Sequence, residues 1–120
     1  MIFMRLRADI WVSAYLRRCA VEGAVATLRR RGAAEAGAIF VKVDRLDGRA
    51  ALFAPAPQSE LAEHGVERLW SRTHKDEWIE PAEVEKRLTR EMAFDPDLWI
   101  VEVEDRQGRH WLDVTKELPI

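Results

Sequence analysis

Two stretches of the chain share one pattern, and each is typical of a β-hairpin. VKVDRLDGRAAL (residues 41–52) aligns without a gap to VEVEDRQGRHWL (residues 101–112), with Val, Val, Gly, Arg and Leu at matching positions. The alternating valines predict a strand with one buried side. The glycine in each stretch allows the positive φ of a tight turn. We therefore predict two hairpins, one turning at Asp47-Gly48 and the other at Gln107-Gly108.

A duplicated αββ unit would also produce this match. Five identities in twelve positions, however, arise from the common needs of any two hairpins, and we favour that simpler interpretation. The predicted returning strands are AALFA after the first turn and RHWLDV after the second. Pro55 and Pro57 should end the first hairpin, because proline cannot donate a hydrogen bond to a sheet.

The first predicted helix begins near Asp9. Asp9 suits the N-cap position, and Val12, Leu16 and Cys19 recur at helical spacing on one apolar stripe. Cys19 is therefore predicted to be a small buried residue rather than a reactive thiol. A single cysteine, with no partner for an internal disulfide, is typical of the reducing cytoplasm.

The end of this helix has two interpretations. Helical spacing of apolar residues continues to Leu28, so the helix would run to Arg31 with Gly32 as its C-terminal cap. Alternatively, Gly23 breaks the helix and AVATLRRRG (residues 24–32) forms a strand. The periodicity does not distinguish the two.

The second predicted helix begins at Pro81, which suits the first helical turn. Val84, Leu88 and Met92 form its apolar stripe, and Pro96 ends it. Between the first hairpin and this helix we predict a loop over residues 55–65, with one helical turn between Ser59 and Gly65. A short strand should follow over residues 66–72.

These elements predict one α+β domain spanning residues 1–120. The chain has 120 residues, of which 31 are Leu, Ile, Val or Phe, enough to bury one core. We expect two layers: a mostly antiparallel sheet of about four to six strands built from hairpins, covered by two helices. No stretch approaches the length of a membrane span, and the N-terminus does not resemble a signal peptide. We therefore expect a cytoplasmic protein that does not interact with membranes.

Arginines supply the first candidate binding surface. Fifteen of the nineteen basic residues are arginine, although the net charge is −2. Arginines on one face could neutralise the phosphates of RNA or DNA, but acidic residues are available to pair with them. The candidates are Arg17, Arg18, Arg29, Arg30 and Arg31.

Tryptophans and arginines supply the second candidate surface. Trp70 and Trp78 flank a polar run, near Arg68 and Arg72, and such a surface would anchor a partner protein. The alternative is that both tryptophans cover the sheet, with the arginines stacked on them.

No local motif predicts catalysis, a cofactor or a metal. The acids at 95–97 and 102–105 do not converge as a cation site requires. The three histidines are not paired, and the serines and glycines match no nucleophile elbow or phosphate loop. We accordingly predict no catalytic, cofactor-binding or metal-binding residue. An enzyme would need a site assembled from residues distant in the sequence.

The chain also resembles a known family. The strings DIWVSAYLRR, RRRGAAEAGAIFVKVDRLDG, LFAPAP and DPDLWIVEVED occur in the order found in short alphaproteobacterial proteins catalogued as domain of unknown function 1491. The resemblance covers roughly residues 5–113. It implies a small stand-alone bacterial protein and carries over no functional residue.

The function favoured by the sequence is therefore a non-enzymatic protein-interaction or accessory module. Its partner would be another protein or a second copy of itself, bound through an exposed sheet edge or a tryptophan patch. The second candidate is an RNA- or DNA-binding protein that uses the arginines of the N-terminal half.

Overall fold

The fold is an α+β domain with a five-stranded sheet. The computed structural model describes residues 6–57 and 68–115. In chain order its elements are α1 (Ala8–Val21), β1 (Val25–Arg30), β2 (Ile39–Asp44), β3 (Ala50–Pro55), β4 (Trp70–Arg72), α2 (Pro81–Phe94) and β5 (Trp99–Glu104). The strand order is β1-β5-β2-β3-β4, and only the β5–β2 pair is parallel. The predicted fold class is confirmed.

The two matching stretches contribute neighbouring strands in the centre of the sheet. β2 and β5 lie side by side in parallel, with Val41 opposite Val101 and Val43 opposite Val103. This register coincides with the ungapped alignment of the two stretches. Matching valines are thus required because both strands bury the same face against the same helix.

The first predicted hairpin is confirmed and the second is wrong. β2 turns back into β3, with Gly48 at φ +84°. Gly108 also has a positive φ of +71°, but residues 109–113 form no strand. β5 has β1 on one side and β2 on the other, so no edge of it remains free for a returning strand. The chain instead forms a single bridge between Val114 and Trp70 of β4.

Gly23 decides the open question after α1, and residues 25–30 are a strand. The Gly23 N–H donates to the Ala20 carbonyl (3.1 Å), and the Ala24 N–H donates to the Cys19 carbonyl (2.9 Å). These two bonds close a Schellman motif, which requires a left-handed residue, and Gly23 has φ +90°. At the other end of α1 the N-cap is Arg7, not Asp9, which lies in the first turn.

The two helices lie on opposite faces of the sheet, so the predicted two-layer arrangement is wrong. Ile39 and Val41 belong to the core beneath α1. Phe40 and Leu52 belong to a second core with Val84 of α2. Central strands that are apolar on both faces need cover on both. The run Ile39-Phe40-Val41 is such a sequence.

The other predicted elements are confirmed where the structure describes them. Pro81 begins α2, Val84 and Leu88 are buried, and Met92 packs against the core beneath that helix. Of the strand predicted at 66–72, Trp70–Arg72 is confirmed, whereas residues 68–69 lie before the strand begins. Residues 66–67 and the helical turn predicted between Ser59 and Gly65 lie outside the described residues.

Candidate functional site

The arginine run at the end of β1 binds groups of its own chain. Arg29 Nη2 lies 2.7 Å from Glu85 Oε1, and Arg29 Nη1 lies 3.0 Å from Glu102 Oε1. Arg30 donates to the Leu98 carbonyl at 2.7 Å. The guanidinium of Arg31 lies 5.2 Å from the ring centre of Trp99. Arg17 and Arg18 are exposed on α1. The five arginines therefore do not form one phosphate-binding face.

The predicted tryptophan surface is also divided. The Trp70 indole N–H donates to the carbonyl of Ile39, at the start of β2. Trp78 lies against Arg45, which follows the end of β2, at 5.1 Å. The two rings are thus at opposite ends of the same strand. Arg72 stacks on Phe53 at 4.9 Å.

Trp70 instead belongs to a cavity in which four of the nine described lining residues are aromatic. The cavity has a volume of about 290 Å³ and opens between α1, β4 and the segment after β5. We call it the aromatic pocket. It is lined by Leu6, Trp11, Ala14, Tyr15, Arg18, Arg68, Trp70, Trp111 and Asp113.

Helix α1 positions one wall of the aromatic pocket. Trp11 and Tyr15 are four residues apart and therefore lie on the same helix face. Their rings stack at 4.7 Å, and Trp11 also contacts Trp70 at 4.7 Å. The Tyr15 hydroxyl donates to the His110 carbonyl at 2.8 Å, and burial raises the pKa of Tyr15. Tyr15 is thus a neutral, fixed part of the wall.

The segment after β5 positions the opposite wall. Trp111 has φ +55°, a left-handed conformation that a large side chain seldom adopts. The guanidinium of Arg109 lies 5.2 Å from the Trp111 ring, and Arg109 Nη2 lies 2.7 Å from Asp105 Oδ1. Arg109 and backbone N–H groups lower the pKa of Asp105, which is buried. Backbone strain of this kind often marks a functional position.

Among its described lining residues, the aromatic pocket has two basic side chains and one acidic side chain. Arg68 is 6% exposed, donates to the Leu6 carbonyl at 2.9 Å and lies 5.8 Å from the Trp11 ring centre. The side chain of Arg18 forms no ion pair with any residue that the structure describes. Asp113 supplies the one acidic side chain of the described lining. The described lining thus combines two arginines, four aromatic rings and one carboxylate.

Only part of this site is predicted from the sequence. Arg18, Arg68 and Trp70 are among the predicted binding residues, but Trp11, Tyr15 and Trp111 are not. The four-residue spacing of Trp11 and Tyr15 on the predicted helix was the available signal. Trp111 gave no signal, because it was assigned to a returning strand that the structure does not contain.

The chain's relatives are consistent with this fold. The profile of the family described as "Protein of unknown function (DUF1491)" matches residues 6–113. The chain belongs to the DUF1491 family. This confirms the resemblance seen in the sequence, including its extent.

Solved structures from alphaproteobacteria are similar over nearly the whole chain. A crystal structure of a DUF1491 family protein from Caulobacter crescentus is 40% identical, with a TM-score of 0.76 over 94% of this chain and 100% of the other. An NMR structure of such a protein from the same organism is also 40% identical, with a TM-score of 0.78 over 95% and 100%. The solution structure of protein Atu0922 from A. tumefaciens is 35% identical, with a TM-score of 0.77 over 98% and 100%. No curated protein matches the chain.

Other polar groups of this DUF1491 chain serve the fold. The His74 ring accepts a hydrogen bond from the Leu52 N–H at 3.0 Å, and its other nitrogen donates to the Asp76 carbonyl at 2.6 Å. Burial lowers the pKa of His74 and that of His110. Within residues 6–57 and 68–115, no three His, Cys, Asp or Glu side chains are grouped to hold a metal, and no helix is long and apolar enough to cross a membrane.

Proposed function

We propose that the domain is a non-enzymatic binding module that captures an acidic segment of a partner protein in the aromatic pocket. The observation that carries the proposal is the convergence of three tryptophans and a tyrosine with Arg18 and Arg68 around one cavity. Tryptophan, tyrosine and arginine are the residues most enriched at the energetic centres of protein interfaces. The single buried cysteine supports action in the cytoplasm.

The pocket offers two kinds of contact to a peptide. Its aromatic walls suit one apolar side chain of the partner, because a cavity of about 290 Å³ is close to the lower limit of small-ligand sites. Arg18 forms no ion pair with a carboxylate of the described residues, so a partner carboxylate would meet a guanidinium that none of these residues engages. A guanidinium binds a carboxylate with two parallel hydrogen bonds, which adds orientation to affinity.

The structure favours a peptide over RNA or DNA. Single strands bind by stacking bases on exposed aromatic faces and by neutralising successive phosphates along a groove. Trp70 is 3% exposed, and one face of Trp11 is stacked on Tyr15. Arg29 and Arg30 are already bound within the chain. Among the described residues, Trp70 and this face of Trp11 therefore cannot stack on successive bases. One apolar side chain of a peptide needs only the parts of Trp11 and Trp111 that are half-exposed.

The proposed chemistry is not catalytic. The described residues that line the aromatic pocket include no histidine, cysteine or serine. The hydroxyl of Tyr15, which does line it, is engaged with the His110 carbonyl. The pocket therefore supplies surface, shape and positive charge rather than a nucleophile and its base.

The test is selection of ligands from a display library of random peptides on the intact chain, with single-stranded DNA present as competitor. We expect the enriched peptides to combine acidic residues with one large apolar residue. A synthetic copy should bind with an affinity that falls as salt rises, because the contact is partly ionic. Fluorescence anisotropy of the labelled peptide measures this.

Two variants of equal charge change make the test specific. Arg18→Glu should weaken peptide binding by about tenfold or more, because it places a carboxylate against the acidic ligand. Arg90→Glu, on the exposed side of α2, should leave binding unchanged. Selection of neutral or basic peptides, or equal affinity of the two variants, would contradict the proposal. Binding of the competitor DNA that is lost in Arg18→Glu would assign the pocket to nucleic acid instead.

A further inference from the structure

The two edge strands of the sheet, β4 and β1, differ in whether a further segment pairs with their outer side. The outer side of β4 is occupied, because the Trp70 N–H donates to the Asp113 carbonyl (2.9 Å) and the Thr115 N–H donates to the Trp70 carbonyl (2.8 Å). β1 is the other edge, and its six residues pair with β5 on one side only. Among the described residues, no strand pairs with its outer side. An unpaired edge of this length is a template for a further strand.

Apolar surface adjoins this edge. Val21 and Val25 are 79% and 58% exposed, and they lie at the end of α1 and the start of β1. Alongside, a groove of about 460 Å³ runs between α1 and β1, with Leu16 and Leu28 among its lining residues. Surface of this kind next to an open edge is typical of an interface between strands of two chains.

The charges along the edge are self-complementary. Glu22 precedes β1, and Glu104 is paired with Val25 at its start. Arg30 and Arg31 lie at its other end. Two copies that meet in antiparallel orientation would place the acidic end of each against the basic end of the other. A parallel arrangement would instead bring like charges together.

We infer that a second copy of this chain pairs antiparallel along β1, joining two sheets into one of ten strands. A twofold axis at Thr27 places Thr27 of one copy opposite Thr27 of the other, and Val25 opposite Arg29 rather than arginine opposite arginine. Opposed residues must share a face of the sheet, and this register satisfies that requirement. It also brings Glu22 of one copy alongside Arg31 of the other.

The assembly stops at two copies. The opposite edge of the sheet is closed by the bridge between Trp70 and Val114. Within residues 6–57 and 68–115, β1 is thus the one sheet edge without a partner, and a twofold dimer uses it in both copies and leaves none for a third. This surface is separate from the aromatic pocket, so the two proposals stand or fall independently.

The first test is the position of contact. Light scattering of the intact chain should show a dimer whose fraction rises with concentration. Thr27→Cys should form a disulfide between copies on mild oxidation, because opposed Cα atoms of an antiparallel pair lie within disulfide range. Thr89→Cys, exposed on α2, is the control and should stay uncrosslinked. The native Cys19 is buried and does not compete.

The second test is a charge exchange. Glu22→Arg and Arg31→Glu should each weaken dimerisation about tenfold or more, and the double variant should recover most of the loss. Arg90→Glu serves as the matched control. A monomer at every concentration would overturn the inference. The inference would also be overturned if neither single charge variant weakened the dimer and Thr27→Cys formed no disulfide between copies, because the interface would then lie elsewhere.

Discussion

Glu85 offers a quantitative test of how α2 is held on the sheet. Its carboxylate accepts hydrogen bonds from Arg29 of β1 (2.7 and 2.8 Å) and from Lys42 of β2 (2.8 Å). Lys42 is 5% exposed, and it is also 3.8 Å from Glu102 and from Asp44. These ion pairs connect one helix to three neighbouring strands. Glu85→Gln keeps the shape of the side chain and removes its charge.

The size of the effect follows from the pKa of Glu85. Arg29 chiefly, together with Lys42, lowers this pKa from 4.5 to about 2. For a fully desolvated carboxylate that would correspond to about 3 kcal/mol, at about 1.4 kcal/mol per tenfold change in acidity. The Glu85 side chain is 41% exposed, and solvent screening reduces the expected contribution to about 1–2 kcal/mol.

The direction of the pKa shift determines how the stability contribution of Glu85 changes with pH. Because folding lowers the pKa, the contribution of Glu85 is present above pH 4.5 and is lost as the pH falls from 4.5 towards about 2. Urea denaturation at neutral pH should therefore show Glu85→Gln less stable than the natural chain by about 1–2 kcal/mol. The difference should shrink at pH 3.

Glu91→Gln is the control for this measurement. Glu91 lies on the same helix and forms no ion pair with any residue in the described ranges, so its replacement should be nearly neutral. Equal stability of Glu85→Gln and the natural chain at neutral pH would refute the reasoning. A deficit that is the same at pH 3 and pH 7 would do so as well.

Three further predictions concern single residues. Gly23→Ala should destabilise the chain by about 1 kcal/mol in urea denaturation, because alanine is strained at φ +90°. The added Cβ would meet no atom within 4 Å, so the cost comes from the backbone alone. An unchanged midpoint would argue against the Schellman cap. His74 should titrate below 6.5 by NMR, and the stability that its neutral form provides above pH 6.5 should decline as the pH falls below that value towards the pKa of the folded chain. Titration at or above 6.5 would argue against the hydrogen bond that its ring accepts from the Leu52 N–H, because a protonated ring cannot accept it. Cys19 is buried, and burial raises its pKa. It should therefore react with a thiol reagent only after urea unfolds the chain, and rapid reaction of the native chain would show that Cys19 is not buried.

The predictable parts of the fold are those with local determinants. The β2–β3 hairpin needs only alternating side chains and the turn at Asp47-Gly48, all within one short stretch. The second helix likewise carries its own start at Pro81 and its own apolar stripe. Such elements can be predicted from the sequence because the residues that specify them are close together along the chain.

The errors arise where distant residues decide. The stretch after Gly108 has a turn and apolar residues like those of the first hairpin. It forms no strand because β1 and β2 already occupy both sides of β5. Gly23 is compatible with a helix interior or with its end, and packing of β1 against β5 selects the end. Neither fact can be read from a short window of sequence.

The candidate site could be predicted only in part, for the same reason. Trp11 and Tyr15 come from α1, Trp70 from β4, and Trp111 from the segment after β5. Apart from the four-residue spacing of Trp11 and Tyr15, no spacing along the chain links these residues. Trp111 joins the others because the bridge from Trp70 to Val114 brings the C-terminal segment beside β4. The arginine run was conspicuous in the sequence, but its partners Glu85 and Glu102 are distant along the chain.

The most direct test of the central claim is NMR of the indole N–H signals during titration with an acidic peptide selected on the intact chain. The five tryptophans give separate probes, assigned through single Trp→Phe variants. We predict that the signals of Trp11 and Trp111 shift with peptide concentration, while those of Trp78 and Trp99 stay in place. Unmoved Trp11 and Trp111 signals in the presence of bound peptide would contradict the assignment of the aromatic pocket as the binding site.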